Sequence, residues 1–329
     1  MMARLVTVCT ARRARLWATA MPSRETQMRA FAMLGLVMLL WAGNSIIGRA
    51  VRDDVPPFTL ALIRWAGALL VLTPFALATV WRDRAAILAR WKAVLVLGVL
   101  GVGAFNGLLY LGLHYTTATN ALLMQAAIPA MVMLLDLMFF GTRAGPVQVA
   151  GVALSILGVA GIVFEGDPAA ALRLHLGKGD ALVLIAVVVW SLYTVLLRLR
   201  PAISPVSFIW VTFAIGVLTM APPAFAEWHA GKEILWSPGV LGAFLYVCLL
   251  PSLASYFIYN WATDQVGPAR AGQAITMMPL FGALLSALLL GEKLHGYHLA
   301  GMALILAGIV AGALAPRPRE AAQDSAGAP

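Results

Sequence analysis

Ten stretches of the chain are each apolar and about long enough to cross a bilayer as a helix: roughly 31–50, 58–80, 93–112, 117–140, 147–164, 180–197, 206–226, 239–262, 269–290 and 297–315. About 20 residues of helix cross the hydrocarbon. Inside it a helix satisfies every backbone polar group within its own segment. The gaps are short (VRDDVPP, WRDRAAILARWK, GTRAGP, RLRPAISP, GEKLHG) and leave no room for a soluble domain. Only 11% of residues are charged and 61% are hydrophobic, whereas soluble domains carry about 25% charged residues. The expectation is an all-α integral membrane protein with ten transmembrane helices. Residues 1–30 read as a basic cytoplasmic tail without the apolar core of a signal peptide, with Met21 and Met28 as further candidate starts, and 316–329 as a disordered tail. The net charge of +9 does not point to nucleic acid, because the basic residues form no patch interleaved with aromatics.

The two halves of the sequence repeat one another. At a shift of 150 residues Pro129 falls on Pro279, Gly141 on Gly291, Gly151 on Gly301 and Gly158 on Gly308. At 149, Trp41 falls on Trp190 and Arg49 on Arg198; at 148, Pro57 falls on Pro205 and Pro74 on Pro222. The repeats are 31–165 and 179–315, each with five spans. Five is odd, so the second copy enters the membrane from the opposite side, an inverted-topology repeat of the kind many secondary transporters use. With the N-terminus cytoplasmic, 16 of the 23 Lys and Arg fall on the cytoplasmic side, which places both termini inside.

The segments LLWAGNSIIGRAV, PPFTLALIRWAGALLVLTP, LYLGLHYTTATNALLMQAAIP, GDALVLIAVVVWSLYTVLLR and VGPARAGQAITMMPLFGALLSALLLGEKLHGYHLAGMALILAG, in this order and duplicated, resemble the drug/metabolite transporter superfamily, in particular its EamA-like ten-helix members. The resemblance covers about residues 31 to 315. It implies a carrier of the bacterial inner membrane, often an exporter, for small metabolites such as amino acids or nucleotides. It also implies a central cavity between the halves, reached alternately from each side. One departure stands out. The family's Gly-Glu-Arg/Lys after the ninth helix is present as Gly291, Glu292 and Lys293, but after the fourth helix the chain has Gly141, Thr142 and Arg143.

Ionisable groups inside a membrane are costly and face a bundle interior or a cavity. Two fall inside the runs. Asp136 has the bland reading of an interface carboxylate and the sharper one of a coupling group for protons or a cationic substrate. The family resemblance also puts an arginine at the position of Arg64; it either ties helix ends together or attracts an anionic group such as a carboxylate. The spacing places the two at different depths, so a direct ion pair between them is not expected. Further polar groups recur at helical spacing: Asn106 with Tyr110, their repeat mates Tyr256 with Asn260, Trp41 with Asn44, and Trp190 with Tyr193. These read either as glue between helices or as a duplicated substrate-binding wall. Gln125 and Gln273 join them as weaker candidates. Pro129 and Pro279 are expected mid-helix, each kinking its helix and freeing carbonyls. Gly103 with Gly107 and Gly308 with Gly312 make GxxxG patterns that read as close packing.

No enzyme signature accompanies this frame. HExxH, a GxSxG word and a Walker A sequence do not occur, and the five histidines and two cysteines show no metal-ligand spacing. The function read from the sequence is a secondary transporter, most consistent with export, working by alternating access without cofactor or metal. Its partners are a small-molecule substrate and the lipid bilayer, with a homodimer left open as an assembly. A membrane-embedded enzyme and a non-transporting scaffold are the alternatives.

Overall fold

The computed structural model describes residues 23–116, 121, 124, 125, 127–142, 144–164, 166, 167, 169, 177–290 and 296–314. Their regular structure is all helix, with no strand among them. Six helices are long and apolar enough to cross a membrane: α1 (Arg24–Ala50), α2 (Pro57–Ala89), α3 (Trp91–Tyr115), α6 (Lys178–Leu199), α7 (Pro205–His229) and α8 (Pro238–Val266). Shorter apolar helices accompany them: α4 (Ile128–Phe140), α5 (Pro146–Val163), α10 (Met278–Leu290) and α11 (Gly296–Leu314), with the seven-residue α9 (Pro268–Ala274) ahead of α10.

Several boundaries differ from expectation for local reasons. Helix α1 begins at Arg24, inside the stretch read as tail, because the Ser23 hydroxyl accepts the Thr26 backbone N–H at 3.1 Å and Glu25 sits in the first turn. Helix α2 runs on through 81–89, expected as a loop; that stretch has no Gly or Pro and is rich in Ala, Leu and Arg. Its 33 residues make a rod of about 50 Å, longer than the hydrocarbon is thick. Of the two prolines expected mid-helix, Pro129 opens α4 after a turn, while Pro279 stays inside the helical run 268–290, where the backbone tightens locally to a 3₁₀ turn. Pro129 is the second residue of α4, after a turn at Ala127; Pro279 is the second residue of α10, after a 3₁₀ turn at Ile275–Met277. A proline that lacks its N–H and clashes one turn back is best accommodated where a helix starts, as at Pro129. Residues 117–120, 122, 123 and 126, within the predicted fourth run, lie outside the described residues, as do Arg143 and 291–295.

Elements recur at the sequence offset. Helix α3 carries a six-residue π-helical segment, Val99–Ala104, and α8 carries another, Leu249–Ala254, 150 residues on. Helices α4 and α10 are both 13 residues long and begin 150 residues apart.

Two helix pairs join the halves in antiparallel fashion. Helices α2 and α7 cap one another's N-termini. Glu227, near the end of α7, accepts the backbone N–H of Phe58 at 3.2 Å and of Thr59 at 2.8 Å. Asp83, near the end of α2, accepts the backbone N–H of Ser204, the residue before α7, at 2.8 Å. Each carboxylate meets donors that have no partner within their own helix. Helices α5 and α11 pack through glycines. Gly151 lies against the carbonyl of Gly308 and Gly158 against that of Gly301, so a methyl group on either would come within 2.6 Å of that oxygen. In the other GxxxG pattern, Gly103 abuts Thr219 and Gly107 abuts Met220 and Phe58.

Candidate functional site

The site is built around Arg64. This side chain enters the bundle from α2, eighth residue of the helix, and is 2% exposed. Its guanidinium reaches three other helices, α1, α3 and α8. Nε donates to Ser252 Oγ; Nη1 donates to Asn106 Oδ1 at 2.7 Å, Tyr110 Oη at 3.0 Å and Asn44 Oδ1 at 3.3 Å; Nη2 donates to the Pro251 carbonyl at 3.1 Å. The Tyr110 hydroxyl in turn donates to Asn44 Oδ1 at 2.8 Å. Pro251 and Ser252 belong to the π-helical segment of α8, and the Pro251 carbonyl also accepts Trp41 Nε1 at 2.9 Å. The guanidinium carbon stands 4.5 Å from the Trp65 ring centroid. Residues 44, 106 and 110 come from the first half of the chain and 251 and 252 from the second, so the cation bridges the halves.

Beside this cation lies an aromatic wall. Trp41 meets Trp190 edge-on, centroids 5.1 Å apart, and Tyr259 at 5.1 Å; Trp190 also meets Tyr193 at 5.1 Å and Phe105 at 4.7 Å. Between the wall and Arg64 is a small cavity with about 20 Å³ of room for the centre of a water molecule, bordered by Asn44, Asn106, Gln125, Trp190 and Tyr256 among others. A water needs about 10–15 Å³ measured in this way, whereas a drug-sized ligand occupies a pocket of several hundred Å³. The conformation is therefore closed around a polar centre. Among the described residues, the space at this centre is the size of a water molecule.

The second half repeats part of this design with the roles exchanged. Asn44 corresponds to Tyr193 and Tyr110 to Asn260 in the sequence repeat, and Tyr193 Oη donates to Asn260 Oδ1 at 3.0 Å, as Tyr110 does to Asn44. The cation has no counterpart. The position matching Arg64 is Thr212, whose hydroxyl folds back on the carbonyls of Phe208 and Ile209 at 2.9 and 3.0 Å. The Nδ2 of Asn260 is buried without a hydrogen-bond partner.

The structure thus brings Trp41, Asn44, Arg64, Asn106, Gln125, Trp190 and Tyr256 together at the cavity. Tyr110 stands directly behind them, and Tyr193 with Asn260 behind Trp190. Gln273 stands apart: its Nε2 donates to the Gly308 carbonyl at 2.6 Å and its side chain packs on Gly312, joining α9 to α11. Asp136 is also away from the cavity. It is 5% exposed and pairs with Arg198 at the end of α6, and Arg198 lies 4.2 Å from the Phe140 ring centroid. A second pair, Arg200 with Asp264, ties the same end of α6 to α8. Residues not anticipated from the sequence include Ser252 and the Pro251 carbonyl. Their signal was the Pro-Ser step inside the apolar run LLPSLASYF, where a proline disturbs the hydrogen-bond ladder.

These features define a polytopic helical membrane protein with a buried polar centre. The sequence matches the EamA-like transporter family twice, over residues 28–164 and again over 177–311. The chain belongs to that family of membrane transporters. An uncharacterized transporter of Archaeoglobus fulgidus is 28% identical over 284 residues, covering 84% of this chain and 94% of that one. The uncharacterized transporter YetK of Bacillus subtilis is 23% identical over 288 residues and 87% of each chain. A solved crystal structure, 18% identical, superposes with a TM-score of 0.65 over 88% of this chain and 96% of that one. It supports the fold alone.

Proposed function

We propose that the protein is a secondary transporter of small metabolites in the bacterial inner membrane, working as an exporter by alternating access, with ten membrane-spanning helices in two five-helix repeats of inverted topology and both termini cytoplasmic. The observation that carries this reading is the closed polar centre around Arg64, to which both halves contribute. A buried ionisable cluster between helices marks a substrate or ion pathway, and carriers of repeated architecture bind at the repeat interface. The inverted arrangement is supported by direction. Helices α2 and α7 are repeat mates and run antiparallel, as do α5 and α11, while the glycine contacts 151–308 and 158–301 exchange when the repeats are exchanged. Asp136 acts in this scheme as part of a latch: its bond to Arg198 links α4 of the first half to α6 of the second, and it opens when the halves separate on that face.

Two measurements test the reading. In a variant lacking reactive native cysteines, single cysteines at Pro146 and Gly296, the first residues of α5 and α11 and matching places in the two repeats, are labelled from opposite faces of the membrane; labelling from one face refutes the inverted topology. Purified protein is then screened for thermal stabilisation by metabolites, and any stabilising compound is followed in proteoliposome counterflow. Stabilisation without counterflow for every compound refutes transport.

A further inference from the structure

We infer that the substrate carries a carboxylate and no amine cation, that Arg64 holds the carboxylate, and that an apolar body rests on the rings of Trp41 and Trp190. The inference deepens the transport reading and rests on it both for the word substrate and for a conformation in which the water-sized cavity has widened, while the choice of an anion stands on charge and geometry.

Arg64 is a full positive charge in the membrane-embedded core, about 10 Å along α2 from its start, and 2% exposed. Its acceptors are a serine hydroxyl, two amide oxygens, a phenol and one backbone carbonyl. They satisfy hydrogen bonds without cancelling the charge. Elsewhere the chain treats its membrane-end arginines differently: Arg198 is paired with Asp136 and Arg200 with Asp264. Among the described residues no carboxylate pairs with Arg64. A buried charge left unneutralised is costly unless a counter-ion arrives, and a guanidinium fork fits a carboxylate with two parallel bonds. Asn44 and Asn106 both bond to Nη1, and an entering carboxylate takes over the place of these weaker, neutral acceptors.

The rest of the cavity narrows the class further. Among the described residues no Asp or Glu borders it, so no carboxylate there offsets the charge of an ammonium group, and Arg64 repels one. Apart from Ser45 and Gln125, the surfaces that remain are apolar, chiefly the rings of Trp41, Trp190, Phe105 and Tyr256. They favour a planar or branched apolar body over a sugar or a nucleotide phosphate chain. The twofold repeat does not supply a second cation, since Thr212 stands at the equivalent place, so one anionic group is accommodated and not two.

The test uses three probes of nearly the same shape: benzoate, benzamide and benzamidinium, with charges of −1, 0 and +1. Binding to the purified full chain in detergent at neutral pH is followed by tryptophan fluorescence and by thermal shift, with inorganic phosphate and chloride as further arms. The expected result is saturable benzoate binding, at least about tenfold tighter than benzamide or benzamidinium, which is the effect of one charge-assisted bidentate contact. Arg64→Gln should erase that preference. Because Arg64 also ties four segments together, a second variant guards against misfolding. Asn106→Asp builds an anion beside the guanidinium, so it should fold with undiminished thermal stability and lose benzoate binding. Equal binding of the three probes, no saturable benzoate binding, benzoate binding unchanged in Asn106→Asp, or displacement of benzoate by chloride or phosphate at equal concentration overturns the inference. Benzoate bound with the expected preference but never carried across proteoliposomes leaves the anion site standing and removes transport. Carriage of other metabolites without benzoate binding does the reverse.

Discussion

Replacing Gly158 with alanine tests the seam between α5 and α11. The added Cβ would lie 2.6 Å from the Gly301 carbonyl oxygen and 2.9 Å from both the backbone N and Cγ1 of Ile305. Close C–H···O contacts settle at about 3.3–3.6 Å, so the two helices must part by about 0.7 Å. A radial gap of that size forfeits a quarter to a half of each dispersion contact along the seam, and overpacking of this kind costs about 1–3 kcal/mol. Removing a glycine from a helix returns about 0.5–1 kcal/mol. The net expectation is a loss of about 0.5–2 kcal/mol. Gly151→Ala meets the Gly308 carbonyl at the same 2.6 Å and should lose a similar amount, because the two contacts exchange under the repeat. Gly242→Ala, on an exposed face of α8 with nothing within 4 Å, keeps only the helix gain and should be slightly stabilised. Thermal unfolding of the three variants in one detergent, followed by tryptophan fluorescence, orders them. If Gly158→Ala and Gly151→Ala melt at or above Gly242→Ala, the close antiparallel seam is wrong.

Two other perturbations follow from charges at the helix ends. Asp136→Asn and Arg198→Gln should each destabilise by about 1–3 kcal/mol, discounted from a fully buried pair because the Arg198 side chain is 27% exposed; the double variant should lose clearly less than the sum, and an additive double-mutant cycle in thermal stability refutes the pairing. Asp83 lies about 39 Å along α2, past the hydrocarbon, and the Ser204 backbone N–H lowers its pKa below the ordinary carboxylate value. The charged form is thus favoured on folding, so its stabilising effect is complete above the ordinary value and lost as pH falls through the lowered one. Asp83→Asn should flatten that acid limb of the melting curve against pH, and an unchanged limb refutes the cap.

Much of the centre was legible because the relevant residues stood out against an apolar background. Asn106 and Tyr110, or Tyr256 and Asn260, are conspicuous in a membrane helix, and their duplication marked them as a set. Arg64 was legible as an ionisable group but not its partners, because a serine and a proline carbonyl from α8 carry no long-range signal of their own. The Asp136–Arg198 bond was hidden for a similar reason: both residues were visible, but only the packing of α4 on α6 brings them together. The length of α2 was missed because charged residues after Trp81 look like a loop in a hydropathy reading, although Asp, Arg and Ala continue a helix in water. Pro129 and Pro279 were seen at matching places, yet periodicity alone does not separate a turn followed by a new helix, as at Pro129, from a local tightening within one helical run, as at Pro279.

The mutual caps of α2 and α7 carry a mechanical consequence. A carboxylate at the far end of each rod grips the start of the other, Glu227 on Phe58 and Thr59 and Asp83 on Ser204, so the two act as one strut riveted at top and bottom. The pair forms a spindle whose separation would strand backbone donors at both ends. Arg64 is mounted on the spindle itself. Were the halves to rock as proposed, its charge would stay with the strut while α1, α3 and α8 shift their contacts with it.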